Sequence, residues 1–547
     1  MGARKGGAGG GTRGAEALRW AAVLVFGVVT AACRGLDPNV LDDRLRTATV
    51  DAYLGFLDAE FGGLEASGVT VEALRERHRG EAIGATDPAS FYAVLRRMAV
   101  ELGDPHAKIE VSERFWPGPI ACPEQARPMS AGDELWLALP ESSVRTTEEL
   151  AGSLEEWLEG IEDPVRAGEP EAIALLLARS ASPVWGAVAP TVWLKLKEVD
   201  GHPVLSPHGA SLLLTGRLGT IVEVEGVLDG VDVTLGLFRN MGKLREPGGE
   251  FGKELGPRKL ARLLDPEVPL PPRQLRLDSS TVGQPRVERL LRTSAKVRGV
   301  SRVVAREYGL EARVLISPGG RPVAYLRIGD FDRKVWPGGE VPNEPDVQFL
   351  ESLCAVTESL GTFDDWIVDL TGNHGGRWLD LGTAVSFFVP ESQAQIPHEV
   401  TAWLPERRWG IVPVMERLSA TQGRADVPHI EPENLFILVD QGTGSSAEIF
   451  ATTLRTLAGA QLIGERTVGA ELPVVTLEAP DGSRFAVGGF GGMTDPCDHF
   501  QGTGLEPDIR VELTAPDEAG LGPRQRRERL RLMALQSALG LVDGVEP

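Results

Sequence analysis

Cysteine is scarce in this chain, with only Cys33, Cys122, Cys354 and Cys497 in 547 residues. That count excludes a disulfide-stapled fold, and no pair among the four has zinc-ligand spacing. No His/Glu helix motif appears among the eight histidines, so no structural metal is expected. Positive charge is also short. Lys and Arg number 56 against 78 Asp and Glu, a net charge of −22. Without a basic excess to neutralise phosphates, nucleic acid is not an expected partner. The apolar run Trp20 to Ala32 is too short to span a bilayer comfortably. What is present is globular: 42% hydrophobic and 24% charged residues, in a chain long enough for two or three cores.

Arg4, Lys5, Arg13 and Arg19 precede that apolar run, and Thr30-Ala31-Ala32-Cys33 closes it. This is the layout of a targeting segment. The small residues before Cys33 resemble a bacterial lipoprotein cleavage box, with Thr30 where leucine is usual. The expectation is a signal over 1–32, lipid on Cys33, and a protein exported to the cell envelope, periplasmic or on the outer surface of a bacterium. An ordinary secretory signal and a retained anchor are the alternatives. Removing Cys33 leaves three cysteines, enough for one disulfide at most.

Residues 33–110 read as a helical domain, with Leu54, Phe56, Leu57, Phe61, Leu64, Leu74, Phe91, Leu95 and Met98 as its apolar positions. It ends in Leu102-Gly103-Asp104-Pro105-His106-Ala107-Lys108-Ile109, a turn followed by an alternating strand. Thr147 to Gly160 and Glu169 to Arg179 look like amphipathic helices. Residues 192–238 read as β-rich, with an Asp200-Gly201 turn between two strands. Residues 246–275 are rich in Gly, Pro and mixed charge and read as a linker. The basic cluster Arg524 to Arg531 reads as the solvated face of a helix from Arg524 to Leu539, in a tail spanning 516–547.

The most informative stretch is Leu435 to Ala470. Leu435 to Val439 has the length and β-branched content of a buried parallel strand. Asp440-Gln441-Gly442-Thr443-Gly444-Ser445-Ser446 follows as a turn, and a helical pattern takes over with Ile449, Leu454 and Leu457. The turn therefore delivers serine to a helix N-terminus, whose free N–H groups favour a nearby anion. Ser445 there serves either as an ordinary N-cap or as a nucleophile backed by the next amide.

Gly444-Ser445-Ser446-Ala447-Glu448-Ile449-Phe450 with Leu462-Ile463-Gly464-Glu465-Arg466-Thr467 resembles the nucleophile segment of the tail-specific (C-terminal processing) serine peptidases. That superfamily also holds the tricorn core peptidase and the IRBP modules. Asp369-Leu370-Thr371-Gly372-Asn373-His374-Gly375-Gly376 resembles its Gly-rich oxyanion loop, and Gly502-Thr503-Gly504-Leu505-Glu506-Pro507-Asp508 its closing strand. The resemblance implies an α/β multidomain fold with a crotonase-like ββα core over 276–515. It also implies a PDZ-like region over 125–245, most specifically at Val199 to Val204. Such regions bind peptide C-termini by strand addition; the carboxylate-binding loop is not recognisable here, and a β-rich spacer is the alternative.

The resemblance makes Ser445 the nucleophile and His106 its general base, with the Ser446 amide and Gly375 or Gly376 stabilising the oxyanion. The chain departs from the pattern twice. Ala470 stands where one branch has its basic lysine, and Arg466 cannot replace it because a guanidinium does not deprotonate. Gln501 stands where the other branch has its orienting glutamate; Asp498 and Asp104 are the substitutes within reach in sequence. The expectation is an exported serine peptidase acting on protein or peptide substrates without a cofactor, at a rate the two departures lower. A binding protein on the same scaffold is the rival.

Overall fold

A computed structural model of the chain describes residues 41–62, 67–112, 114–115, 120–123, 126–131, 134–140, 143–157, 191–245, 251–255, 257–264, 302–307, 310–331, 347–389, 398–404, 408–414, 429–489, 500–513 and 523–545. Cys33, Asp498 and the 169–179 helix expected from sequence lie outside them.

Three helices come first: α1 (Asp43–Glu60), α2 (Val71–Gly84) and α3 (Pro88–Glu101). Each starts where the sequence supplies a cap, with Asp42, Thr70 and Asp87 accepting a first-turn N–H. Their apolar faces close around Tyr53, Leu54, Leu57, Phe91, Leu95 and Met98. Strand β1 (Lys108–Glu110) leaves this bundle.

A second unit is a twisted antiparallel sheet of β2 (Ile120–Pro123), β3 (Arg127–Ala131), β4 (Glu134–Pro140), β5 (Thr191–Val199), β6 (His202–Pro203), β7 (Gly216–Arg217), β8 (Ile221–Leu228), β9 (Val231–Arg245) and β10 (Phe251–Leu255). It carries α4 (Thr147–Trp157), α5 (Pro207–Leu214) and α6 (Pro257–Leu264). The Asp200-Gly201 turn has positive φ at both residues, 49° and 70°, the primed hairpin geometry expected of Asp-Gly. The linker expected over 246–275 is corrected in part, because β10 and α6 lie within it.

The third unit is a seven-stranded sheet in the order β11 (Arg302–Glu307), β12 (Leu310–Ile316), β13 (Pro322–Ile328), β14 (Asp365–Asp369), β17 (Asn434–Val439), β18 (Gln461–Gly464), β21 (Ile509–Arg510). From β13 to β21 every pairing is parallel. Interleaved in the chain are α7 (Val347–Leu360), α8 (Trp378–Ser386), the hairpin β15 (His398–Leu404) and β16 (Arg408–Val414), α9 (Ser446–Ala458), β19 (Val474–Glu478), β20 (Arg484–Gly488) and α10 (Pro523–Val542). Strand residues alternate between two buried faces. Ala324, Leu326, Trp366, Val368 and Ile437 meet α7, α8 and α9. Val323, Tyr325, Ile367, Phe436 and Leu438 meet α10. Burial on both faces explains why these strands read as continuous apolar runs.

Helix α10 starts and ends near the positions expected, and Arg527 and Arg529 are exposed as a solvated face requires, but two of its basic residues are not. Arg526 is 2% exposed and Arg531 13% exposed at the side chain, both turned into the protein. A local charge pattern cannot register acids that sit 60 to 160 residues away.

Candidate active site

β17 ends at Val439, and the chain turns through 440–444 into α9. At the junction Ser445 has φ 54° and ψ −126°, a left-side conformation that costs a non-glycine residue about 1–3 kcal/mol. Ser445 and Glu448 are arranged as a capping box, each side chain turned to the other's backbone N–H, but only the Glu448 half closes as a hydrogen bond. Ser445 therefore occupies the cap position in a backbone conformation foreign to an ordinary cap, which sits in the extended region. The strain is held by surroundings. The Ser445 N–H donates to Glu448 at 2.9 Å, and the Gly444 N–H donates to the Asn373 carbonyl at 2.9 Å.

The loop after β14 lies directly against this turn. A Cβ placed on Gly375 would stand 2.6 Å from the Gly444 carbonyl, 2.7 Å from Ser445 Cβ and 2.8 Å from the Ser446 nitrogen, at φ +95°. Only glycine fits there. Asn373 is fully buried and anchors the loop: its amide donates to the Ile328 carbonyl at 3.0 Å and its oxygen accepts the Gly375 N–H at 2.9 Å. Ser446 closes the clasp through its hydroxyl, which donates to the Gly376 carbonyl at 2.8 Å. Of the two glycines expected to offer an oxyanion amide, Gly375 has its N–H engaged. The N–H groups of Gly376 and Ser446 have no partner among the described residues. Gly375→Ala is expected to separate the two loops and slow any reaction of Ser445 by about a hundredfold, since a displacement of about 1 Å is enough. An unchanged rate of Ser445 acylation in the folded variant would refute that dependence.

His106 is brought to the third unit because β1 pairs with β20, Ile109 opposite Phe485. Its side chain is 12% exposed, with Nδ1 4.0 Å from Asp104 Oδ1 and no hydrogen-bond partner. Burial lowers its pKa below the usual histidine value, Asp104 opposes that shift and the neighbouring His208 adds to it. Asp104 is buried and accepts from the His106 N–H at 3.0 Å, the Gly488 N–H at 2.7 Å and the Gln501 amide at 2.9 Å. Gln501 thus reaches Asp104 and, through its oxygen, the Leu472 N–H at 3.0 Å; it makes no bond to His106. The acid beside the histidine is Asp104, which the sequence offered only as a substitute. No hydrogen bond joins His106 to Ser445 in this ligand-free geometry.

A cavity of about 450 Å³ adjoins the site. It is walled by Gly103, Pro105 and His208 on the histidine side and by His374, Thr467 and Val468 on the serine side, while neither Ser445 nor His106 lines it. The cavity is therefore space between the two segments that carry Ser445 and His106. His208, on α5, was not signalled by sequence. Its Nε2 is 2.8 Å from the Ala107 carbonyl, and burial lowers its pKa, so the neutral ring donates there.

Glu448 is the other residue whose role only the fold reveals. It is fully buried, and its carboxylate accepts from the N–H groups of Ser445, Gly469 and Ala470 and from the Thr467 hydroxyl. Burial raises its pKa to about 7, against the lowering effect of those donors. Among the described residues no cluster of three His, Cys, Asp or Glu side chains is arranged to hold a metal ion.

Residues 322–511 match the family model described as peptidase family S41. The chain is 29% identical over 194 residues to a carboxyl-terminal-processing protease of Synechocystis sp., covering 35% of this chain and 39% of that protein. It is 27% identical over 169 residues to one from Picosynechococcus sp., covering 31% and 34%. The matches therefore span little more than a third of those relatives. The crystal structure of mature CPAF aligns with a TM-score of 0.50 at 14% identity, over 92% of this chain and 99% of that one, a likeness of fold. These matches bear out the resemblance to tail-specific peptidases, while the PDZ-like character of the second unit is not part of what they show.

Proposed function

We propose that the protein is an exported serine peptidase of the tail-specific type. Ser445 Oγ attacks the carbonyl carbon of a peptide bond as His106 takes the hydroxyl proton. The tetrahedral oxyanion accepts from the N–H groups of Ser446 and Gly376. Collapse breaks the C–N bond, His106 returns the proton to the departing amine, and a water deprotonated by His106 then hydrolyses the acyl-enzyme. The low pKa of His106 suits this base role, because the ring stays neutral below the usual histidine range. Asp104 supplies the charge that favours the imidazolium formed in each step. Gln501, bonded to Asp104, orients that acid.

The observation that carries the reading is the strained Ser445, held at a strand-to-helix turn beside an unpartnered amide and against a loop that admits only glycine. The rival reading, a binding protein on this scaffold, draws on the departures at Ala470 and Gln501, and on one observation of geometry: His106 and Ser445 are not hydrogen-bonded to each other. Catalytic hydrogen bonds often tighten only with substrate bound, so that observation weighs less. The deciding experiment is reaction of the protein lacking residues 1–33 with a fluorophosphonate probe, followed by peptide mapping of the adduct. An adduct on Ser445 supports the peptidase; a folded protein that takes no adduct leaves the binding protein as the better reading.

Export and anchoring belong to the same proposal and rest on the first 33 residues of the sequence. Mass spectrometry of the protein from its native membrane fraction should find the chain beginning at a lipid-modified Cys33. An intact Met1 in that fraction would replace this with a retained anchor.

A further inference from the structure

Three neighbouring parallel strands of the catalytic sheet run into acidic residues at the same edge. Asp369 ends β14, Asp440 follows β17 and Glu465 follows β18. All three are buried, and adjacent strands lie only about 5 Å apart. Ionised carboxylates so placed in a poorly solvated layer repel strongly, and burial raises the pKa of Asp440 and of Glu465 against the lowering effect of the arginines beside them. Each faces an arginine of α10. Arg531 Nε is 2.6 Å from Asp369, Arg526 Nη1 is 3.4 Å from Glu465, and Arg527 Nε is 3.9 Å from Asp440.

Each acid also holds a loop of the site, Asp369 and Asp440 through the oxygen turned from the arginine and Glu465 through the oxygen that Arg526 shares. Asp369 accepts from the N–H and hydroxyl of Thr371 at 2.9 and 2.6 Å. Asp440 accepts from the N–H groups of Gly372 at 2.7 Å and Gly442 at 2.9 Å, which ties the Gly-rich loop to the nucleophile turn. Glu465 accepts from the Gln441 amide at 2.9 Å. The arginines are not what docks the helix. Leu530, Ala534, Ala538 and Val542 already bury an apolar face against the sheet.

We propose that α10, which lies outside the family-matched segment 322–511, belongs to the catalytic apparatus: Arg526, Arg527 and Arg531 are positioning residues that hold Asp369, Asp440 and Glu465, and through them the 371–376 and 440–446 loops, in register for acyl transfer. The catalytic part of this inference rests on Ser445 being the nucleophile. Burial alone would raise the Asp369 pKa, yet Arg531 and its hydrogen bonds hold it below the usual carboxylate value, so this acid stays ionised.

The test uses the full chain with Arg531→Gln, Arg526→Gln and the charge-conserving Arg531→Lys. Two rates are measured: acylation of Ser445 by a fluorophosphonate, and hydrogen exchange resolved by segment. Acylation should fall by about tenfold to a hundredfold in Arg531→Gln, with faster exchange confined to 370–376 and 440–446 and partial recovery in Arg531→Lys. Wild-type acylation in the folded variants overturns the proposal, and so does faster exchange spread evenly over α10 and the strands, the signature of a merely structural pairing. Should Arg531→Gln not fold, Arg527→Gln carries the same test, because that side chain is half exposed. A wild type that takes no adduct overturns the peptidase reading and the catalytic role together, and the exchange result alone then decides whether the arginines hold the loops.

Discussion

Ser445→Ala is expected to abolish fluorophosphonate labelling and to lower peptide hydrolysis by about 10⁶-fold, the scale on which a nucleophile of this kind is missed. His106→Ala should cost about as much, because residues acting as one unit are not additive. Stability should respond differently. The Ser445 hydroxyl makes no cap bond, and alanine carries the same Cβ into the same φ of 54°, so the melting temperature of Ser445→Ala should stay near wild type. Ser445→Gly should instead raise it, by relieving about 1–2 kcal/mol of backbone strain. That pair separates a strained catalytic turn from a cap. If Ser445→Ala lowers the melting temperature as the loss of a cap does, or retains labelling at the same site, the reading of Ser445 as a strained nucleophile is wrong.

Glu448→Gln should be the most destabilising single-atom exchange near the site. The carboxylate accepts three backbone N–H groups and one hydroxyl. A glutamine turns an NH₂ toward two of those donors, so buried donors lose partners, at about 2–5 kcal/mol in all. The pH dependence follows from the raised pKa of about 7 in the folded protein, against about 4.3 in an unfolded chain. Between those values the folded form keeps a proton that the unfolded form has lost. Stability from this group is therefore complete below about pH 4 and declines as pH rises to about 7, by about 4 kcal/mol over the window. Protonation has one outlet, the Thr467 hydroxyl turning to accept, since the other three partners are fixed N–H donors. Urea midpoints at several pH values between 4.5 and 8 should show the wild-type decline, with Glu448→Gln less stable and flatter. A variant as stable as wild type, with a parallel pH curve, would show that Glu448 carries no such load. Labelling of Ser445 should slow as well, since Glu448 holds the Ser445 N–H.

The strand, turn and helix around Ser445 were readable because each is a local signal. Leu435 to Val439 is apolar throughout because both its faces are covered, by α9 on one side and α10 on the other. The glycines at 372, 375 and 376 are readable for a related reason, as positive φ leaves a mark on the residue itself. The Asp-Gly hairpin at 200–201 and the caps Asp42, Thr70 and Asp87 belong to the same class: each is satisfied within a few residues.

What the sequence by itself determined, then, was the strand, turn and helix around Ser445, the first helices with their caps, the Asp-Gly hairpin and the turn and strand that carry His106. Only the tertiary structure decided which acid stands beside His106, since Asp104 and Gln501 meet across 397 positions. It likewise decided which glycine amide is free, that Glu448 gathers four donors, and that Arg526 and Arg531 of α10 face inward. The physical reason is common to all four. A buried polar group must find its partner wherever the fold brings one, and the identity of that partner leaves no periodic trace along the chain.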